Sequence, residues 1–566
     1  MSSSADSTPL YDVIGLGFGP ANVAIAGAIV EKWAGSQATP SVRSHAPLQQ
    51  VLFIEKQPEF RWHPGMLLPN SRMQISFLKD LATLRSPQSP FTFLAYLHSQ
   101  DRLLNFINRG SFTPTRKEYS DYLAWAAAAV QQHGIQVRFG EEVVGLTRCD
   151  DGTVEVRSRN LETGEEFSRR SRNIILSPGG TPKLPPALAA IAPHPRVIHS
   201  AYYLSAVDRF FASIPQNGEP LRIAVIGAGQ SSTEVLLDLH SRLNSLSVTG
   251  GRKHQLDMIF RRGSLKPSDD TPFSNEIFDP ATTDMWYNLP SKRERQAVLR
   301  EYNPTNYSVV NMRTIDSLYE VMYHQKLLDS IKARTGREEE SDRTRITLSP
   351  YTSIFSAEAL PAEESPAKET IRLTLHNIHT RAVAAKAYDA VFCGTGYDRD
   401  AWMRLLASSN LADEFGIKST SIELVPATEP DSEPTPEPTH THAAEQGTTL
   451  PPHPLFADVV GEDAGALSPV SSRSTDGFLT PPTPATPQSQ HSKLGADGQA
   501  SRVKISRTYR LLSPRTAAAG DAAGKGTGEP RVYLQGCTQS THGLSESLLS
   551  ILGVRAGLVV DELCEA

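Results

Sequence analysis

The most regular hydrophobic pattern in this chain is a short apolar run that ends in a glycine-rich turn and continues into a helix-like stretch. Tyr11–Ile14 leads into the turn Gly15–Pro20, and Arg222–Ile226 leads into the turn Gly227–Ser232. Each unit predicts a dinucleotide site, because glycine lets the backbone approach a pyrophosphate that rests on a helix N-terminus. Two such units predict a protein that binds two dinucleotides. The predicted contacts are Gly15, Gly17 and Gly19 in the first turn and Gly227, Ala228, Gly229, Gln230 and Ser231 in the second.

The residues that end the next predicted strand distinguish the two sites. Val51–Glu55 ends in a carboxylate, which suits a ribose 2′-hydroxyl and repels a 2′-phosphate, so the first site is predicted to take FAD or NAD. The strand that begins at Leu256 is followed by Arg261 and Arg262, whose guanidinium groups favour the 2′-phosphate of NADPH. The alternative for the two arginines is an exposed, charged strand end.

Length, charge, apolar runs and cysteine spacing argue against several classes of function. A length of 566 residues is enough for two or more domains, and a net charge of −6 gives no reason to expect a nucleic-acid partner. The absence of an 18-residue apolar run and of a secretory signal at Met1–Asp6 predicts a cytoplasmic protein without a membrane partner. The four cysteines have neither redox nor zinc spacing, which predicts no metal site and argues against a disulfide reductase.

One long stretch has a different composition from the rest. Residues 426–500 are dense in Pro, Thr, Ser and acidic residues, and they predict a disordered insertion, since so few apolar side chains cannot offset the entropy of ordering. The PxxP spacing from Pro481 to Pro487 would suit an SH3-type module, although a solvated spacer is the favoured interpretation.

Five stretches outside this insertion carry a specific resemblance. They resemble the fungal L-ornithine N(5)-monooxygenases of siderophore synthesis, a family of flavin-dependent N-hydroxylating enzymes. The resemblance covers about 8–400 and 531–556 and depends on strings that composition alone would not produce. The strings are Phe60–Met66, Met73–Arg85, Lys266–Phe278, Thr305–Val310, and Gly536 with Thr541–Ser545.

The resemblance implies a reaction and a set of ligands. It implies that FAD occupies the first site and NADPH the second, and that L-ornithine and O2 yield N(5)-hydroxy-L-ornithine, the first step of hydroxamate siderophore biosynthesis. It also implies a homotetramer. The hard chemistry in such an enzyme belongs to the cofactor, while the protein positions the reactants and shields them from water.

The resemblance also assigns residues to the site. Physical chemistry supports two of them, because the ammonium of Lys79, in a mostly apolar stretch, suits the substrate carboxylate, and Asn275 offers a carbonyl to the α-ammonium. The substrate residues are Lys79, Asn275, Glu276, Ile277, Phe278 and Ser545; Gln74 and Asn306 are the predicted catalytic residues. The further FAD residues are Glu55, Lys56, Phe60, Arg61, Trp62, His63, Gln74, Val143, His542, Gly543 and Leu544; those for NADPH are Arg261, Asn306, Tyr307 and Ser308.

Three alternatives stay open at this point. L-Lysine is one methylene longer than ornithine, a difference worth only about 1–3 kcal/mol in a pocket. A diamine lacks the carboxylate that Lys79 would bind. From another class, the chain could be an inactive flavin-fold sensor of NADPH or a scaffold that acts through residues 426–500, although the intact set of site residues argues against decay.

The predicted fold class is α/β, with two Rossmann-like dinucleotide-binding domains, a small substrate-binding region and a disordered insertion. An apolar strand at Tyr388–Cys393 and another at Val532 are expected to return the chain to the first domain. The final helix is predicted over Ser545–Cys564. The predicted divisions are an FAD-binding domain at 8–215, completed by 385–407 and 531–566; an NADPH-binding domain at 216–384, with substrate-binding segments at 275–310; the insertion at 408–500; and a C-terminal segment at 501–566.

Overall fold

The fold consists of two α/β domains, each built on its own mainly parallel sheet. The computed structural model describes residues 9–36, 48–214, 217–250, 252–337, 343–360, 370–430, 500–519 and 529–565. The predicted insertion at 431–499, with its PxxP spacing, therefore lies outside the described residues. The described helices are α1 Pro20–Ser36, α2 Phe93–Ser99, α3 Leu103–Asn108, α4 Arg116–Gln132, α5 Pro186–Ala189, α6 Tyr203–Ala212, α7 Gln230–Asn244, α8 Pro272–Glu276, α9 Thr282–Tyr287, α10 Lys292–Asn306, α11 Met312–Thr335, α12 Ala401–Ala407, α13 Leu411–Glu414, α14 Pro514–Ala519, α15 Gln539–His542 and α16 Leu552–Glu565.

The described strands alternate with helices in some parts of the chain and follow one another directly in others. They are β1 Leu10–Leu16, β2 Val51–Glu55, β3 Gln136–Phe139, β4 Glu141–Arg148, β5 Val154–Asn160, β6 Glu166–Leu176, β7 Thr181–Pro182, β8 Val197–His199, β9 Arg222–Ile226, β10 His254–Ile259, β11 Thr344–Ser349, β12 Thr352–Leu360, β13 Thr370–Asn377, β14 Val383–Tyr388, β15 Ala390–Cys393, β16 Tyr397–Asp398, β17 Ile422–Pro426, β18 Ser501–Ile505, β19 Leu511–Leu512 and β20 Arg531–Leu534.

The first sheet has seven strands in the order β3-β2-β1-β6-β5-β4, and β20 also pairs with β6. Strand β20 runs parallel to the carboxyl-terminal half of β6, so the prediction that Val532 returns the chain to this sheet is confirmed. Successive residues of β1 enter different cores. Val13 packs on the side of α1, α4 and α16, whereas Ile14 packs on the side of α12 and β17. The sheet is therefore buried on both faces, as expected for mainly parallel strands.

The second sheet has the order β11-β10-β9-β15-β8, and all of its pairings are parallel. Two of its strands lie outside the range 216–384 predicted for this domain. Strand β15 pairs with β9 and β8, so the prediction that Tyr388–Cys393 joins the first sheet is wrong, and β8 lies inside the predicted first domain. The sequence of a short apolar strand does not indicate which sheet it joins, because both sheets bury such strands equally well.

The elements after β16 also change the predicted boundaries. Helix α13 and strand β17 lie within 408–430, and β17 pairs in parallel with β18, so an unstructured insertion from residue 408 is wrong for these residues. Helix α16 begins at Leu552 rather than at Ser545. The predicted helix starts late because Leu544–Ser547 forms a separate 3-10 turn that ends at Leu548 in extended backbone.

Candidate active site

The first glycine-rich turn has the geometry that a bound pyrophosphate requires. Gly17 has φ +86°, and a Cβ there would lie 2.4 Å from the carbonyl oxygen of Ser177, so only glycine fits. A Cβ on Gly19 would meet nothing within 4 Å, which leaves the backbone at the start of α1 open to a ligand. The side chain of Asn22, buried in α1, holds the turn by donating to the oxygen of Gly17 at 2.6 Å.

Glu55 ties the end of β2 to this turn. One carboxylate oxygen accepts from the backbone N–H of Phe18 and the other from that of Gln57, both at 2.8 Å. Each oxygen keeps a second lone pair, so these bonds orient the carboxylate while leaving it able to accept from a ribose hydroxyl. The residues present therefore fit the adenosine half of FAD.

The remaining predicted FAD residues lie on both sides of this turn. Phe60 and Trp62 are partly buried against the core around α1 and α4, and Val143 in β4 packs against the opposite core. His63 has φ +44° and its ring lies 5.9 Å from that of Tyr397. Lys56 and Arg61 are exposed, and Arg61 pairs with Glu59.

The second turn is closed more tightly. Gly227 has φ +121°, and a Cβ there would lie 2.6 Å from the oxygen of Gly394, in the turn after β15. The hydroxyl of Ser232, at the third glycine position of the motif, donates to the same oxygen at 3.1 Å. Serine is thus small enough for helix α7 to approach the sheet.

The two arginines after β10 have different environments. Arg261 is exposed and forms no ion pair with the described residues. Arg262 donates to the carbonyl oxygen of Ser308 at 3.2 Å and thereby holds the predicted nicotinamide-side loop. The pair Asn303-Pro304 predicts a loop just before Asn306, but α10 continues through Pro304 to Asn306. Proline removes one N–H from the helix and crowds the carbonyl four residues earlier, and α10 ends two residues after Pro304.

Lys79 and Phe278 bring two of the predicted substrate segments together. The ammonium of Lys79 lies 5.9 Å from the centre of the Phe278 ring, which joins the first substrate string to the second. Burial lowers the pKa of Lys79, and Asp279 partly opposes this shift. Asn275 lies in the last turn of α8, and its Nδ2 donates to the backbone oxygens of Asp270 and Thr271 at 3.2 Å each, so its Oδ1 faces away from these bonds.

Ser545 is buried in the 3-10 turn after Gly543, and its hydroxyl has no hydrogen-bond partner among the described residues. Gly543 has φ +94°, and a Cβ there would lie 3.0 Å from the Trp286 ring. Tyr307 donates from its hydroxyl to Gln539 Oε1 at 2.7 Å. The C-terminal segment therefore contacts Trp286 in α9 and Tyr307 just after α10, and it carries the Ser545 hydroxyl, which has no partner among the described residues.

Sequence reasoning missed several residues that build this region. Asn22 had a local signal, because it is the one strongly polar side chain early in an apolar helix. Trp286, Glu546 and Arg399 had none, since their roles depend on partners far away in the chain. Arg399, for example, donates to the oxygens of Gly536 and Ser547, and burial lowers its pKa.

Two glycine-rich turns, each at the end of a strand in a mainly parallel sheet, define a protein that binds two dinucleotides. The family model for L-lysine 6-monooxygenase/L-ornithine 5-monooxygenase matches residues 9–399. The chain belongs to this family. No group of His, Cys, Asp or Glu in the described residues is arranged to hold a metal ion, and no helix among them could cross a membrane.

Relatives and solved structures agree with this membership. The chain is 53% identical to an L-ornithine N(5)-monooxygenase of Ceriporiopsis subvermispora over 98% of both chains, and 45% identical to one of Coprinopsis cinerea over 99% of this chain and 98% of that one. The ornithine hydroxylase of Pseudomonas aeruginosa superposes with a TM-score of 0.68 at 32% identity, covering 98% of this chain and 99% of the other. A Kutzneria ornithine N-hydroxylase, solved with reduced FAD, NADP+ and L-ornithine, gives 0.67 at 27% identity over the same shares.

Proposed function

We propose that this protein hydroxylates the side-chain amine of L-ornithine, using FAD, NADPH and O2, to give N(5)-hydroxy-L-ornithine. The observation that carries the proposal is the Lys79 ammonium, half-buried beside Phe278 without an ion-pair partner among the described residues. A half-buried cation of this kind is stabilised by an anionic ligand, and the α-carboxylate of an amino acid is such a ligand. The relatives named L-ornithine N(5)-monooxygenase support the choice of amino acid.

The other site residues divide the work of binding. We assign Asn275 Oδ1 and the Ser545 hydroxyl to the polar groups of the amino acid, because one offers an acceptor and the other a hydroxyl without a partner. Glu55 would hold the ribose of FAD and Arg261 the 2′-phosphate of NADPH. Asn306, Tyr307 and Ser308 would face the nicotinamide. These roles follow the matching strings and the geometry of each residue.

Reduced FAD supplies the activation of O2 when it is bound. The protein must exclude water from that reaction, and the close approach of Gly543 to the Trp286 ring would contribute to this exclusion beside Ser545. The attacking amine must be neutral, yet its pKa in water is about 10.4 by analogy with lysine. Activity is therefore expected to rise with pH above neutrality.

A panel of amines tests the proposal. The purified enzyme with FAD and NADPH would be given L-ornithine, L-lysine and the diamine putrescine, and hydroxylated product would be measured against hydrogen peroxide. Product from L-ornithine with little peroxide is the expected result. Efficient product from L-lysine or putrescine instead would replace ornithine as the substrate, and NADPH oxidation that yields only peroxide with all three would refute N-hydroxylation.

The expected assembly follows from the family resemblance, and the expected location follows from the sequence analysis. We expect a homotetramer in the cytoplasm. Light scattering coupled to gel filtration measures the first, and cell fractionation measures the second.

A further inference from the structure

A chain of hydrogen bonds connects the two domains next to the predicted site. Arg116 begins α4 in the first domain, and its Nη1 and Nη2 donate to the two carboxylate oxygens of Glu234 at 2.6 and 3.0 Å. Glu234 lies on α7 in the second domain, and both side chains are largely buried. The same carboxylate accepts from Gln230 Nε2 at 2.7 Å. The guanidinium and the carboxylate thus anchor the side chain of Gln230.

The partners of Gln230 determine which way its amide points. A carboxylate only accepts, so Glu234 requires the nitrogen of the amide. The backbone N–H of Asn311 only donates, and it donates to Gln230 Oε1 at 2.7 Å. Two fixed partners, one on each side, therefore leave the Gln230 amide a single orientation.

The orientation of the Gln230 amide in turn determines the orientation of the Gln74 amide. The Nε2 of Gln74 donates to Gln230 Oε1 at 3.3 Å, and because that oxygen can only accept, Gln74 must present its nitrogen there. Its own Oε1 then points elsewhere as an acceptor, and no described residue donates to it. We propose that Arg116, Glu234 and Gln230 are positioning residues whose fixed polarity makes Gln74 a hydrogen-bond acceptor for an N–H group of the bound substrate or flavin.

The inference rests on the proposed function, and the variant Glu234→Gln tests it. A carboxamide at this position can donate or accept, so it no longer requires the nitrogen of the Gln230 amide. Asn311 alone then fixes that amide, and the orientation of Gln74 is held less firmly. We expect coupled hydroxylation to fall about tenfold, the effect of losing one ordinary hydrogen bond. If the donor is the substrate, the dissociation constant of L-ornithine for the oxidised holoenzyme rises by a similar factor; if it is the flavin, the dissociation constant of FAD rises instead.

A matched control separates orientation from stability. Glu31→Gln weakens the ion pair between Glu31 and Arg85, which is about as buried as the pair of Glu234 and Arg116 but lies within the first domain. This control is expected to lower Tm without changing either dissociation constant or the fraction of NADPH oxidation that yields product.

A double variant tests the polarity itself. In Q230E/E234Q the carboxylate moves to position 230, where it can accept from position 234, from Asn311 and from Gln74, so Gln74 keeps its orientation. At saturating NADPH we expect this variant to recover most of the coupling lost in Glu234→Gln. Wild-type coupling and unchanged dissociation constants in Glu234→Gln would overturn the inference. A wild-type enzyme that fails to hydroxylate L-ornithine would refute the proposed function instead. The dissociation constants of L-ornithine and FAD would still test the positioning role of Arg116, Glu234 and Gln230.

Discussion

Arg555 in α16 donates both to the backbone oxygen of Glu546, at 2.6 Å, and to its carboxylate, at 3.1 Å. Glu546 is fully buried beside Ser545, and its other carboxylate oxygen accepts from the hydroxyl of Tyr509 at 2.8 Å. The turn that carries Ser545 is therefore held by a charge pair and by a residue from the segment after the insertion.

Replacing Glu546 by alanine is expected to lower the free energy of unfolding by about 3–5 kcal/mol, since it leaves the Arg555 guanidinium buried without its partner. Tyr509→Phe removes a single hydroxyl and should cost about 1 kcal/mol. Urea denaturation at neutral pH measures both. A loss below 1 kcal/mol for Glu546→Ala would mean that water replaces the carboxylate and that the pair does not hold the turn.

Lys79→Met should abolish coupled hydroxylation of L-ornithine while leaving FAD binding and NADPH oxidation largely intact. Methionine keeps the apolar contact with Phe278 but removes the charge for the carboxylate, a loss worth several kcal/mol when the partner is buried. The assay compares product, peroxide and the Michaelis constant for ornithine. An unchanged Michaelis constant with full coupling would exclude Lys79 as the carboxylate ligand.

Lys79 also predicts a pH effect on binding. Its pKa is lowered by burial, so its positive charge is lost at a lower pH than in a solvated lysine. Affinity for the substrate carboxylate should therefore weaken at alkaline pH in the wild type. Calorimetric titration of the oxidised enzyme with L-ornithine from pH 7 to 10 measures this decline in affinity. The affinity of Lys79→Met, which has no charge to lose at this position, should decline less over the same range.

Arg261→Ala and Arg262→Ala should have different consequences although the two residues are adjacent. Arg261 is exposed and forms no ion pair with a described residue, so its loss should raise the Michaelis constant for NADPH much more than that for NADH. Arg262 holds the oxygen of Ser308, and its loss should affect both cofactors alike. Steady-state kinetics with NADPH and with NADH measure both Michaelis constants. An equal increase of the two constants in Arg261→Ala would refute the role of Arg261 at the 2′-phosphate.

The segment 431–499 should be dispensable for turnover, provided that its ends remain correctly joined. Glu429 accepts from Arg295 and Arg502, so the cut must spare it. Because β17 and β18 pair in parallel, the replacement must cross back along a strand, which calls for a linker of about twelve residues. We expect unchanged coupling and fewer protease-sensitive sites. Loss of FAD or of coupling in the shortened chain would place the segment in the catalytic body.

Acid should destabilise the protein through His542. Burial and the positive charge of Arg507 lower its pKa to about 3, against about 6.5 when unfolded, so the unfolded chain binds the proton first. This contribution to stability is complete above pH 6.5 and declines as the pH falls toward 3, by roughly 2 kcal/mol between pH 6.5 and 5. His542→Phe should flatten the dependence of unfolding free energy on pH over that window, whereas the exposed His98→Gln should not.

Local pattern was sufficient for much of the fold. The strands predicted at Val51–Glu55 and Arg222–Ile226 have those bounds in the structure, and each glycine-rich turn leads into its helix. These predictions succeed because alternation of apolar residues, the positive φ of glycine and a charge at a strand end all act over a few residues. The strings that resemble the family likewise located the segments of the candidate site.

Tertiary structure alone decided how those segments meet. Strand β15 entered the second sheet because register and neighbouring strands, rather than its own apolar residues, select the partner. In the sequence Glu546 resembles any exposed polar residue, and only the fold shows that Arg555 and Tyr509 bind its carboxylate. The orientation of the Gln74 amide likewise depends on its contact with Gln230. Hydrogen bonds and ion pairs of this kind join residues that are distant in sequence. Their energy depends on burial and on bond direction, and local sequence patterns indicate neither of these.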